Sequence, residues 1–242
     1  MNDNYLLALM YDFYNYNVLK GQNDDIPYYI NQIEKYSSKK ILVVGAGTGR
    51  VAIPLSRHSD VTALDFDKER LSVLKQKNNN IKIVYENFLN FDTDEKYDLI
   101  IIPYSTLQFD CNESKLKKML LKLKELMSSS TIAIFDMSES FNYKIEKNDE
   151  FLFESYCKEI KDDVSVYYTS KRYDKYINFI IKYKLKNLKK ELIENEKYYY
   201  YNPLLIERLI KEIGLETIDL DFGYNNNNTF THKHLYHCRR KK

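Results

Sequence analysis

The chain has 242 residues, with 37 lysines and arginines against 35 aspartates and glutamates and a formal net charge of +2. That balance provides no global field to draw it onto nucleic acid, and the length suits one well-buried domain with an appendage rather than two full domains. No run approaches the ~18 apolar residues that span a bilayer, and Met1-Asn2-Asp3-Asn4 starts a polar segment without the basic and apolar regions of a signal peptide. A cytoplasmic protein with no membrane partner is expected. Cys111, Cys157 and Cys238 are odd in number and widely spread, so they read as reduced thiols rather than a disulfide or metal framework.

Residues from about 5 to 36 read as two helices joined by a polar turn at Lys20-Gly21-Gln22-Asn23. The run Lys40-Ile41-Leu42-Val43-Val44 then reads as a buried parallel strand ending in Gly45-Ala46-Gly47-Thr48-Gly49-Arg50, a tight turn into a new helix. Such a turn lets a ligand lie against the main chain, and a helix start offers unpaired N–H groups to an anionic part of it. Nicotinamide and flavin folds favour G-x-G-x-x-G; here the third glycine comes one residue early, and no Gly-Lys-Ser/Thr phosphate loop exists. The next strand, Val61-Thr62-Ala63-Leu64-Asp65, ends in a carboxylate where an acid accepts both hydroxyls of a ribose. Further strands are expected near 81–85, 97–102 and 131–136, with a helix over 112–127 carried by Leu116, Met119, Leu120, Leu123 and Met127. The alternation implies a mostly parallel sheet with right-handed crossovers.

From about 150 to 201 the period changes. Phe151–Phe153, Val164–Tyr168, Ile177–Ile181 and Lys197–Tyr201 read as an antiparallel meander. Pro203 opens a last helix that reaches Gly214, and strands near 215–221 and 232–239 complete the sheet. The expected division is an N-terminal and core segment 1–149, an inserted lid 150–202 and a closing segment 203–242. His232, His234, His237 and Cys238 do not make a metal site on this reading, because His237 falls on the opposite strand face from the other two histidines. The Asn225–Asn228 run reads as a loop.

The glycine turn and the strand-ending acid resemble those of the Rossmann-like S-adenosylmethionine-dependent methyltransferases. Met10-Tyr11-Asp12-Phe13-Tyr14, Asp24-Asp25-Ile26-Pro27-Tyr28-Tyr29, Gly49–Leu55 and Tyr198–Pro203 resemble their small-molecule branch, which includes amino-sugar N-methyltransferases. The resemblance implies a seven-stranded, mostly parallel α/β sheet with an antiparallel β lid and S-adenosylmethionine as cofactor. It implies that Gly45, Ala46 and Gly47 hold the amino-acid end and ribose, that Asp65 binds the ribose hydroxyls, and that Phe66 lies against adenine. Asn87 stands where the family commonly has an acid, so its amide oxygen would take the adenine amine, with Phe88 packing the ring. Tyr14 or Tyr16 with Lys20 match the residues that hold the methionine carboxylate. Pro103 and Tyr104, after the fourth strand, would face cofactor and substrate, and Tyr16, Tyr104 and Gln108 are the acceptor-side candidates.

Ile102-Pro103-Tyr104 lacks the Asn or Asp that base-methylating enzymes place before this proline, which argues against a nucleic-acid substrate. Methyl transfer from a sulfonium is an in-line displacement that requires no covalent residue, only a positioned, desolvated nucleophile. With no histidine base to place at the site, no catalytic residue is assigned and a small-molecule amine is preferred to a hydroxyl. Of the meander, Tyr167, Tyr168, Tyr173 and Tyr176 are candidate pocket residues, half of which must face outward. The rival readings are a non-catalytic cofactor-binding protein and a nicotinamide oxidoreductase; a monomer or homodimer is the expected assembly.

Overall fold

A computed structural model describes residues 1–19, 24–138, 146–224 and 233–241, so Lys20, His232 and Asn225–Asn228 lie outside the described residues. The central strands are β1 (Lys40–Val44), β2 (Asp60–Asp65), β3 (Lys82–Tyr85), β4 (Leu99–Ile102) and β5 (Ile132–Ser138), followed after the lid by β10 (Leu215–Phe222) and β11 (Lys233–Arg240). They form one sheet in the order β10-β11-β5-β4-β1-β2-β3. β1 pairs in parallel with β2 and β4, whereas β11 runs antiparallel to both β5 and β10. The expected mixed sheet is therefore present, and the strand order reverses beside β1, which puts the glycine turn at the crevice where sheets of this class bind ligands.

Apolar runs without alternation explain the two covered faces. Ile41 to Val44 and Leu99 to Ile102 are buried along their whole length. On one face Leu42, Ile100 and Phe135 share a core with Leu116, Leu120 and Leu123 of α5 (Glu113–Leu126) and with Ile206 and Leu209 of α6 (Pro203–Glu212). On the other, Ile41, Val43 and Ile101 share one with Tyr29 and Ile33 of α2 (Asp25–Lys35), Leu55 of α3 (Ala52–Leu55), and Leu71 and Leu74 of α4 (Lys68–Lys77). Local chemistry sets the helix starts: Asn112 and Asn202 accept from the backbone N–H of Lys115 and Leu204, and Pro203 occupies the first turn of α6.

The lid is a four-stranded antiparallel sheet, β6 (Lys147–Cys157), β7 (Asp162–Arg172), β8 (Tyr176–Leu185) and β9 (Lys190–Tyr199). Two edges differ from the sequence reading. β6 begins at Lys147, and the last strand lies over 190–199 rather than 197–201 because its charged Glu191, Glu194 and Glu196 conceal a strand register fully paired to β8. Alternating Val164 and Val166 with Ile181, Tyr183 and Leu185 pack against Leu6, Ala8, Met10 and Phe13 of α1 (Asp3–Leu19). α1 thereby joins the lid to the core.

The helix expected after the glycine turn is only the four-residue α3, with no side-chain cap. It is too short to provide the helix-dipole anion site read from the sequence. The three glycines also differ in role, although all have positive φ. A Cβ on Gly45 would lie 2.7 Å from the Thr106 side chain, and one on Gly49 2.8 Å from Ile53 and Leu74, so both are demanded by packing. At Gly47 the nearest atom is a Tyr11 ring carbon 4.0 Å away, which leaves room over the main chain. Gly49→Ala, with φ at +90° and two side chains in its path, is expected to cost about 2 kcal/mol and lower Tm by roughly 4–8 °C in thermal denaturation.

Candidate cofactor and acceptor site

The turn after β1 is held by β2. Gly45 and Ala46 donate to the Leu64 carbonyl at 2.9 and 3.1 Å. The Asp65 carboxylate accepts from the N–H of Gly47 at 2.7 Å and from that of Asp67 at 2.9 Å. It is 9 % exposed, and burial raises its pKa against the lowering influence of those two N–H groups and of Arg70. Asp65 thus ties the two ligand-facing loops together and presents its remaining lone pairs at the sheet edge. Phe66 follows it with 59 % exposure, an aromatic face without core neighbours to account for it.

At the end of β3, Asn87 is exposed and its Oδ1 accepts from the Leu89 N–H at 3.0 Å, an Asx turn that shapes the loop. Phe88 turns into the core cluster that holds Val44 and Leu64 and is 6 % exposed. Pro103 is buried at the end of β4. Tyr104 and Ser105, with φ of 59° and 56°, form a left-handed pair that two non-glycine residues adopt only when their surroundings hold them there. The Asp136 carboxylate does so by accepting from the Ser105 N–H at 2.9 Å while ion-paired to Lys233. The half-buried Tyr104 ring lies between the Arg50 guanidinium at 4.9 Å and the Lys233 ammonium at 5.3 Å, and its hydroxyl donates to Asn15 Oδ1 at 3.3 Å.

Of the acceptor-side set read from the sequence, Tyr104 is half-buried, Gln108 fully buried and Tyr16 exposed. Gln108 donates to the carbonyls of Ser138 and Tyr199, each at 2.9 Å, and accepts from the Ser138 N–H at 2.7 Å. Its amide is spent on backbone and fastens β9 and β5 to the loop. Tyr16 and Tyr14 lie on opposite sides of α1, two residues being about 200° apart on a helix. Tyr14 is half-buried on the side of Tyr104 and Tyr183 and contributes to the raised pKa of both hydroxyls. Tyr16 is 78 % exposed and faces a cleft of about 890 Å³ that Asp12, Arg50, Gln76 and Lys77 also line, and in which Tyr104 takes no part.

Several residues outside the candidate set read from the sequence lie around the glycine turn. Tyr11, one helical turn before Tyr14 and Asn15, is the ring nearest Gly47. Thr48 donates to Asp12 at 2.6 Å, linking α1 to the glycine turn. Arg50 is paired bidentately with Asp25 at 2.9 and 2.6 Å; burial opposes its charge, but the Asp25 carboxylate more than offsets this and raises the pKa. Arg70 pairs with Glu194 of the lid, with its guanidinium 4.3 Å from the Tyr11 ring. Of the meander tyrosines, Tyr167 is covered by Lys182 and Lys184, Tyr168 stacks on Phe179 at 5.6 Å, and Tyr173 stacks on Tyr176 at 4.6 Å. His237 is fully buried between the hydroxyls of Tyr28 and Tyr36, and among the described residues no group of three or more His, Cys, Asp or Glu could hold a metal ion.

Known proteins bear on this geometry. Residues 41–130 match a methyltransferase-domain family. A putative methyltransferase of Geobacillus sp. is 23 % identical over 117 residues, 46 % of this chain and 47 % of that protein. Spermidine synthase 1 of Datura stramonium is 37 % identical over 82 residues, 28 % of this chain and 27 % of that protein, so the chain spans less than half the length of the curated relatives it matches. Among solved structures, an S-adenosylmethionine-dependent methyltransferase from Clostridium acetobutylicum superposes with a TM-score of 0.78 at 18 % identity, covering 96 % of this chain and 98 % of that one. A sugar N-methyltransferase from Streptoalloteichus sp. gives 0.78 at 10 % identity, with 96 % and 93 % covered. An amino pentose methyltransferase from Micromonospora echinaspora gives 0.71 at 12 % identity, with 95 % and 96 % covered. Residues 41–130 thus match a methyltransferase-domain family, and the chain shares the fold of solved S-adenosylmethionine-dependent methyltransferases.

Proposed function

We propose that this protein transfers the methyl group of S-adenosylmethionine to a small-molecule amine. The observation that carries the reading is the Gly47–Asp65 hydrogen bond at the strand-order reversal: it sets an open stretch of main chain beside a buried carboxylate, as a nucleoside with an amino-acid tail requires. The solved structures of similar fold include two described as sugar and amino pentose methyltransferases, which supports a small acceptor. The balanced charge supports a protein that does not act on nucleic acid, and among the described residues no helix is long and apolar enough to cross a membrane.

In this assignment Gly45, Ala46 and Gly47 lie against the amino-acid end and ribose, and Asp65 accepts from the ribose hydroxyls. Phe66 covers one adenine face, gaining apolar burial for an exposed ring. Asn87 and Phe88 border the other edge of the base. Tyr14 approaches the amino-acid end, joined by Tyr11, while Pro103 and Tyr104 separate cofactor from acceptor. When bound, S-adenosylmethionine supplies an electrophilic methyl on a sulfonium; the residues of the chain hold it, exclude water and aim the acceptor along the line of displacement.

The direct test is methyl transfer from methyl-labelled S-adenosylmethionine to a panel of amines, amino sugars and phenols. N-methylated product is expected. Products methylated only on oxygen would overturn the amine assignment, and failure to bind S-adenosylhomocysteine would overturn the whole reading. Tyr14→Phe is expected to weaken S-adenosylhomocysteine binding by roughly three- to tenfold through loss of one hydrogen bond, whereas Tyr16→Phe leaves it unchanged in calorimetry. Equal effects of the two would reassign that contact.

A further inference from the structure

β9 is fastened at its middle and at its C-terminal end to elements beside the glycine turn and the loop after β4. At mid-strand Glu194 pairs with Arg70 of α4, the helix that follows Asp65. At the C-terminal end, Tyr198 bridges Phe109 in the loop after Tyr104, the Asp110 N–H donates to the Lys197 carbonyl at 2.7 Å, and Gln108 holds the Tyr199 carbonyl. Residues 194, 196 and 198 share one face of the strand, and the flanking Ile193 and Asn195 are exposed on the other. Glu196 therefore sits between these two anchors, pointing the same way as Glu194 and Tyr198.

The groups around it come from β9 itself and from four other parts of the fold. Glu194 and Tyr198 flank it on β9, with the Tyr198 hydroxyl donating to Glu196 Oε2 at 3.3 Å. Arg70 on α4, Tyr11 on α1, Tyr104 after β4 and Tyr183 on β8 are the other charged or titratable groups that interact with it. Arg70 is committed to Glu194 at hydrogen-bond contact. Glu196 is thus a carboxylate among tyrosine rings and hydroxyls, half-buried, whose hydrogen-bond donor is a neutral phenol. Tyr11 is also the ring beside Gly47, so the wall that holds Glu196 is continuous with the cofactor turn.

Resting on the methyltransferase reading, we propose that Glu196 binds the acceptor's amino group and takes its proton, so that the substrate enters as an ammonium ion held between the lid and the cofactor turn. The aromatic rings complete such a site, since their faces attract a cation. The step balances as follows. The ammonium gives one proton to a Glu196 oxygen, and the freed nitrogen lone pair forms the N–CH3 bond as the S–CH3 bond breaks. The electron pair of the broken bond stays on sulfur, which leaves as a neutral thioether; the product departs as a methylated ammonium, and the proton on Glu196 passes to water. Burial, followed by the Glu194 charge, pushes the Glu196 carboxyl up to about 7 against the pull of Arg70 and Tyr198. A base poised there accepts and releases a proton at neutral pH. Because the ionised form is the one that accepts, kcat/KM is expected to rise with pH through about 7.

A test that does not require the natural acceptor is 13C NMR of protein labelled at the glutamate carboxyls and saturated with S-adenosylhomocysteine. The Glu196 signal is identified by its loss in Glu196→Gln, or by its loss in Glu196→Asp should the first variant fail to fold. We expect it to titrate near neutrality, and methylamine, benzylamine or glucosamine to lower the midpoint, since a bound cation favours the ionised carboxyl. Methanol, benzyl alcohol and glucose should leave it in place. A midpoint unmoved by all three amines overturns the inference while leaving cofactor binding intact; absence of S-adenosylhomocysteine binding overturns the methyltransferase reading together with it. For any amine in the set that is methylated, Glu196→Gln is expected to lower kcat/KM about 100-fold, abolish its rise with pH and leave S-adenosylhomocysteine affinity unchanged. An unaltered rate and profile would show that Glu196 only supports the lid.

Discussion

Asp65→Ala is expected to weaken S-adenosylhomocysteine binding by one to two orders of magnitude in calorimetry. A charged acceptor is worth about 1.5–3 kcal/mol per hydrogen bond, and loss of that much is roughly a 10- to 150-fold change in Kd. The structure adds a second consequence. The same carboxylate holds the N–H groups of Gly47 and Asp67, so alanine also leaves backbone donors in the turn without their partner, and Tm should fall as well. Binding is therefore measured well below the variant's melting temperature. Full affinity in folded Asp65→Ala protein would remove this residue from the cofactor site.

Asp25→Ala should produce the largest loss of stability among the site residues. The Asp25 and Arg50 side chains are only 6 % and 14 % exposed, and they pair through two hydrogen bonds. Removing the carboxylate takes away the guanidinium's bidentate partner, and breaking a buried pair from one side costs about 3–5 kcal/mol. In a chain of this size that is a drop in Tm of roughly 6–20 °C. Replacing both partners, as Asp25→Leu with Arg50→Met, should recover much of the loss because the pair is then removed as a whole. If Asp25→Ala melts like the parent, Arg50 is satisfied by other groups and the pair is not what anchors α2 to the glycine turn. Arg50 also covers Tyr104, so a real loss of the pair should loosen the wall between cofactor and acceptor.

How much of this was legible from residues alone depended on the range of the interactions. The strand of β1, its glycine turn and Asp65 at the end of β2 were readable because each is specified within a few residues: an unbroken apolar run, positive φ at glycine, and an acid about twenty positions on. The lid meander and the last helix were readable from a change of period and from Pro203. Within the glycine turn, by contrast, sequence could not tell that Gly45 and Gly49 serve packing against Thr106, Ile53 and Leu74 while Gly47 alone faces open space. The phase of α1, which leaves Tyr16 exposed, Tyr14 half-buried and the Tyr11 ring beside Gly47, is set by the seating of the helix against the lid.

By itself, then, the sequence determined the mostly parallel sheet, the inserted meander and the glycine turn after β1, because local propensity and periodicity write those features into contiguous residues. Tertiary structure alone decided that Gln108 is buried, that Arg50 pairs with Asp25, and that Glu194 and Glu196 turn inward above the turn. Each of these joins residues from separate elements, and on an antiparallel strand a shift of one residue exchanges the inward and outward faces. The register of β9 against β8, and the two anchors that hold it, therefore place the carboxylates where an acceptor would meet them.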